Sequence, residues 1–227
     1  MKNNFSKFAF TLAETLMVMA ILGVTAALTV PNVMDSYKEN QTIVKLIKVQ
    51  EDLDKAYAFA KTTNGPFYSW PKFTQTADTS AYQVKSFVEY LKAAPCSSAQ
   101  CGYLTTGTKY ELNDGTLISI VPPQSSEASF NRFIFYVITD GGKQGRALAG
   151  VNYFGFYLDI DGQAVNNATC ATPIDKVYPM GLCSDKGDNN AFSGSGLSTT
   201  NWAIFNKNLD FNKCSSSLVW GGKTTCK

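Results

Sequence analysis

Twenty-one consecutive residues, Phe10 to Val30, carry a single charge, the Glu14 carboxylate, and run up against Pro31. A helix needs about 20 mainly apolar residues to cross a bilayer, so this run is long enough. Nine residues precede it, with Lys2 and Lys7 and no acid. A carboxylate in such a helix costs roughly 2.5–3.5 kcal/mol at the bilayer centre and less near an end. An acid held there is expected to have a partner. The apolar stretch exceeds the 7–15 residues of a secretory signal core, and Ala26-Ala27-Leu28 makes a weak cleavage site. An uncleaved anchor would fit the length and would give Glu14 no purpose.

The helical rhythm continues past Pro31. Ile43, Leu46, Ile47, Leu53, Tyr57 and Ala60 recur at spacings of three and four, while Lys38, Glu39, Lys45, Lys48, Glu51, Asp52 and Lys55 fall mostly off that stripe. This is the pattern of an amphipathic helix. Asn64-Gly65-Pro66 stops it. Phe10 to Thr63 therefore reads as one helix, about 80 Å long at 1.5 Å per residue. Pro31 removes a ladder bond, so a bend or a local break is expected there; two separate helices are the alternative.

The remaining 160 or so residues suit one domain with a core of its own. Thr79 to Lys92 has the spacing of a short helix. Lys109–Leu112 and Thr116–Val121 flank Asn113-Asp114-Gly115, a hairpin signal. Arg132–Thr139 and Val151–Ile160 are rich in Phe, Tyr, Val and Ile, with the glycine-rich Asp140 to Gly145 stretch between them. Asp161-Gly162 leads to a short edge at Gln163-Ala164-Val165. The pattern predicts about four antiparallel strands against the inner face of the long helix. From Asn166 on, regular pattern fades, and Trp202 to Phe205, Leu209 to Phe211 and Leu218 to Trp220 are the apolar clusters.

Ala9-Phe10-Thr11-Leu12-Ala13-Glu14 resembles the processing motif of the type IV prepilin and pseudopilin family. Gly23, Ala26-Ala27 and Pro31 also fall where that family's first helix has a Gly, two Ala and a Pro. The resemblance covers about Lys7 to Tyr37. It implies cleavage by a prepilin peptidase between Ala9 and Phe10, and N-methylation at Phe10. Ala9 stands where the family usually has Gly; it is small enough for the same subsite, and slower cleavage is expected. The resemblance further implies that Glu14 neutralises the Phe10 amine of a neighbouring subunit, since each charge alone is costly in lipid. Gly23 and the alanines would let helices approach closely. The threonines at 11, 15, 25 and 29 need no such role, because their hydroxyls can return to the helix backbone.

Six cysteines, Cys96, Cys101, Cys170, Cys183, Cys214 and Cys226, all lie beyond the apolar run. On the exported side, an even count reads as three disulfides, with 15 pairings open. Nearest-neighbour pairing is the expectation: Cys96–Cys101, Cys170–Cys183 and Cys214–Cys226. A zinc site lacks C-x-x-C pairs and histidine. The chain has no His, which removes Ser-His-Asp and Cys-His nucleophiles. Gly222-Lys223-Thr224 ends like a phosphate loop, but Ser217 stands where the first Gly belongs, so a C-terminal turn is expected. Asp159 and Asp161 suit a solvated edge better than an acid/base pair. Asp185 and Asp188 are weak calcium candidates beside Asp159-Ile160-Asp161-Gly162, since neither cluster has a closing Glu. No other cofactor is implied. A net charge of +2 with scattered lysines argues against nucleic-acid binding.

The expected protein is α+β and not an enzyme. A long bent N-terminal helix, with a membrane or filament-core half and an amphipathic half, packs on an antiparallel β-sheet head with a disulfide-stapled C-terminal region. Residues 1–9 form a leader, 10–30 the transmembrane or filament-core helix, 31–63 the amphipathic half and 64–227 the pilin-like head. The resemblance implies a pilin or minor pilin of a type IV pilus-like filament. A type II secretion pseudopilin is the alternative, and an anchored ligand-binding exodomain that forms no filament is a third reading. Implied partners are other pilin or pseudopilin subunits, prepilin peptidase and the inner-membrane assembly platform. The implied location is the bacterial inner membrane, single-pass with the head outside the cytoplasm, and then a periplasmic or extracellular filament.

Overall fold

The computed structural model describes residues 11–65, 84–85, 87–97, 101–122, 132–159, 175–184, 186 and 190–226. The chain divides into two units, Met1–Glu39 and Asn40–Lys227. Helix α1 spans Leu12–Asn64 and contains Pro31. Helical backbone therefore runs unbroken through the proline, and the alternative of two separate helices does not hold. One missing N–H costs one ladder bond, and the flanking turns remain.

In the second unit a six-stranded sheet follows chain order: β1 (Ala94–Pro95), β2 (Thr108–Glu111), β3 (Leu117–Val121), β4 (Arg132–Ile138), β5 (Tyr153–Asp159) and β6 (Val177–Pro179). Every pairing is antiparallel. The four expected strands are the central four. The two edge strands, β1 and β6, were not expected, because two or three residues ending in proline carry no readable alternation. The expected edge at Gln163 to Val165 lies outside the described residues, as do 79–83 of the expected short helix. Residues 84–85 and 87–91 of that helix (α2) are helical.

Alternation decides the faces of the sheet. Ile118 and Ile120, Phe133, Phe135 and Val137, and Phe154, Phe156 and Leu158 point to one side and are fully buried. Opposite them, α1 contributes Ile43, Leu46, Val49, Leu53, Ala56, Tyr57 and Ala60, and α2 contributes Phe87 and Leu91. The Phe87 ring sits 5.4 Å from Phe135 and 5.9 Å from Phe133. On the other face a smaller cluster joins Cys101, Leu104, Leu117 and Ile138. The β2–β3 turn closes where expected: the Leu112 amide donates to the Thr116 carbonyl at 2.8 Å, and Gly115 takes φ +76°. That φ favours glycine.

The last third is more structured than its sequence suggests. Helix α3 spans Thr199–Asn206 and α4 spans Phe211–Cys214. Trp202 packs edge-on against Phe192 at 4.8 Å and against Trp220 at 4.7 Å. These rings join the main core, so the segment is ordered by aromatic burial as well as by staples. Such edge-on pairs add about 0.5–1.5 kcal/mol beyond their area burial. Disulfides Cys96–Cys101 and Cys214–Cys226 are present as expected. Cys183 is disulfide-bonded; its expected partner, Cys170, lies outside the described residues. Gly222 closes a turn, its amide donating to the Val219 carbonyl at 3.2 Å, and the Val219 amide donates to the Lys223 carbonyl at 2.8 Å.

Charged groups tie α1 to the sheet. Lys45 Nζ donates to the Thr139 carbonyl at 2.7 Å, Lys48 pairs with Asp114 at 2.9 Å, and Lys61 pairs with Asp175 at 2.6 Å. Tyr57 also donates to Asp175. Burial raises the Asp114 carboxyl, but Lys48 and Thr116 outweigh it and hold it below the ordinary value. Burial likewise raises Asp175, and Lys61 and Tyr57 bring it below. A depressed folded pKa contributes stability above the unfolded value and loses it as pH falls through the folded one. Thermal melts in detergent should therefore show head stability falling below about pH 4. In Asp114→Asn and Asp175→Asn proteins that acid slope should flatten. Replacing Cys214 and Cys226 together by Ser should cost roughly 3 kcal/mol, because the bond closes a loop of about 13 residues; denaturant titration measures it.

Candidate functional site

The first unit is notable for what its side chains do not touch. From Leu12 to Met34 the large apolar residues are exposed, Leu12 at 80 % and Leu28 at 69 %. A soluble helix of this composition would bury a stripe against a core. This one is long and apolar enough to cross a membrane, and none of its apolar window is buried in the chain. A side chain added at Gly23 would meet nothing within 4 Å. Its small size therefore answers no packing need among the described residues.

Glu14 has a local partner that the sequence reading missed. The Thr11 amide donates to Glu14 Oε2 at 2.9 Å, and the Thr11 hydroxyl donates to the same oxygen at 2.9 Å. In return the Glu14 amide donates to Thr11 Oγ1 at 3.3 Å. This is a reciprocal capping box, which satisfies amides that open a helix with no partner of their own. The signal was present as Thr-x-x-Glu ahead of an apolar run. The other threonines return their hydroxyls to the backbone: Thr15 to Leu12, Thr25 to Ile21 and Leu22, and Thr29 to Thr25. Ala9 and Phe10 lie outside the described residues.

The solvated edge expected at Asp159 and Asp161 is overturned at Asp159. Asp161 is outside the described residues. Asp159 is buried, 3.1 Å from the Arg132 guanidinium and accepting from the Tyr178 hydroxyl. Arg132 and Asp159 are cross-strand register partners on β4 and β5. The Arg132 guanidinium also lies 4.8 Å from the centre of the Tyr157 ring. A carboxylate so engaged is a structural tie. Burial pushes the Tyr153 phenol up to about 12, so it holds its proton through the physiological range. The calcium candidates Asp185 and Asp188 lie outside the described residues. Among the described residues no group of three or more His, Cys, Asp or Glu side chains is placed to hold a metal.

Three comparisons bear on the chain as a whole: no protein-family model, no curated protein and no solved structure matches it. The assignment of function therefore rests on its own residues.

The capping box has a measurable consequence. Thr11→Ala removes the N-cap oxygen and should weaken the first turn by about 1 kcal/mol. Amide exchange at residues 12–15 in detergent micelles should rise roughly fivefold, with no change at the sheet.

Proposed function

We propose that this chain is a structural subunit, a pilin or minor pilin, of a type IV pilus-like filament. In this reading it is cut between Ala9 and Phe10, methylated at Phe10 and assembled through its first helix. The observation that carries the reading is the exposed apolar helix from Leu12 to Met34 with one carboxylate near its head. Lipid would cover such a surface before assembly, and neighbouring helices would cover it afterwards. The open space at Gly23 supports the second stage, since small residues let helix backbones approach.

Glu14 is suited to both stages. Both Thr11 bonds fall on Oε2, which leaves Oε1 with no partner among the described residues. A neighbour's Phe10 amine can pair with Oε1 while the box stays closed. Pairing spares the cost of an isolated amine and an isolated carboxylate in a medium without water. The head, held by its own core and staples, would be the displayed part. The protein would sit in the bacterial inner membrane with the head outside the cytoplasm, then move into a periplasmic or extracellular filament.

Intact mass spectrometry of the protein from its native membrane, without reduction, tests the processing. The expected species lacks residues 1–9, carries one added methyl group and has lost six hydrogens to three disulfides. An unprocessed mass, or a cut near Ala27, would refute the reading. Glu14→Ala should be cleaved normally yet enter sheared filaments at least about tenfold less, because a lone amine in lipid costs several kcal/mol. Normal incorporation would remove the role given to Glu14.

A further inference from the structure

The outer edge of β6 is closed by side chains of α1. Met180, just past β6, donates its amide to the Gly155 carbonyl on β5 at 3.0 Å. Backbone groups in an antiparallel ladder alternate between facing the partner and facing away. Tyr178 therefore also faces β5, while Val177 and Pro179 face outward. Proline has no N–H to offer, so Val177 supplies the one outward amide of the strand. That amide donates to Asp54 Oδ1 at 2.6 Å. The Val177 carbonyl accepts from Gln50 Nε2 at 3.0 Å. Gln50 and Asp54 are four residues apart on α1 and so lie on one helical face.

We infer that Gln50 and Asp54 act as a stand-in for a seventh strand, presenting one donor and one acceptor to β6 and closing the sheet to strand addition by a second copy of this chain. Exposed sheet edges are templates for pairing with another chain, and proteins blunt them with short strands, prolines or a covering helix. Here all three occur together. The Asp54 carboxylate is half-buried, and its desolvation outweighs the Val177 bond and the nearby Lys176 charge, raising its pKa. A raised folded pKa means that ionised Asp54 opposes folding at neutral pH. A side chain that must accept from an amide, and must repel an incoming strand, is well served by a carboxylate.

The test compares full-length wild type, Gln50→Ala, Asp54→Ala, the double variant and Asp54→Asn in detergent micelles. The readouts are amide exchange at Val177 and mass by light scattering. Asp54→Ala should speed Val177 exchange about tenfold while the protein is dilute, since its acceptor is gone. On concentration, the double variant should form dimers or larger species in which the Val177 amide is protected again. Asp54→Asn keeps an acceptor and should behave as wild type at Val177. The proposal is overturned if the double variant stays at the wild-type mass with Val177 unprotected, because the contacts would then only anchor β6. It is also overturned if wild type already associates through a protected Val177 edge. Should the double variant fail to fold, the single Asp54→Ala protein decides by the same two readouts, because it too lacks the acceptor of the Val177 amide.

Discussion

Burial of one stripe of α1 against the inner face of the sheet is the contact on which the rest of the head depends. Leu46, Leu53 and Ala60 are fully buried there, facing Phe133, Phe135, Phe154 and Phe156. Apolar burial of this kind yields about 25 cal/mol for each Å² removed from water. The stripe also orients the polar face beside it. Once Leu53 and Tyr57 are seated, Gln50 and Asp54 reach β6, Lys61 reaches Asp175, Lys45 reaches the Thr139 carbonyl just past β4, and Lys48 reaches the β2–β3 turn. A two-residue strand and a three-residue strand are too short to hold themselves in register. The order of β6 comes from the helix side chains on its outer edge and from its pairing with β5, and that of β1 from its pairing with β2.

Helix α1 meets two environments under one backbone geometry. Its first part, to Glu39, shows apolar side chains all round and buries none of the large ones. From Ile43 the pattern narrows to one buried stripe. The change follows composition: acids and lysines enter at Asp35, Lys38 and Glu39 and then recur off the stripe. Pro31 lies in the first part, and the helix runs through it at the cost of one ladder bond. Within the apolar run up to Val30, Glu14 is the exception. It is engaged with Thr11, which explains how a carboxylate is accommodated at the helix head without a second chain. Both Thr11 bonds fall on Oε2.

The central strands were legible because each runs for four to seven residues between turn signals. The amphipathic stripe was legible at six positions, and the structure adds Val49 and Ala56 to it. The nearest-neighbour pairing of Cys96 with Cys101 and of Cys214 with Cys226 was legible because short separations favour closure. What was not legible shares a cause. β6 reads Val-Tyr-Pro, which is too short for a period and ends in a residue that argues against a strand. Trp202, Phe192 and Trp220 lie in segments without periodicity, and only folding brings their rings within contact. The Thr11–Glu14 box was visible in the residues, but the apolar run beside it directed the reading of Glu14 toward a partner in another chain.

Sequence by itself determined the elements whose cause is local: an apolar helix long enough for a bilayer, an amphipathic continuation, strands with period two, a hairpin turn needing glycine and an even set of cysteines. Each rests on spacing along the chain, and spacing survives without a fold. Tertiary structure alone decided which carboxylates are spent on structure. Asp54, Asp114, Asp159 and Asp175 look alike in sequence. In the fold, one caps a sheet edge, two bind lysines and one is buried on an arginine. The physical reason is that a carboxylate's role is set by its partner and its desolvation, and both come from residues far away in the chain.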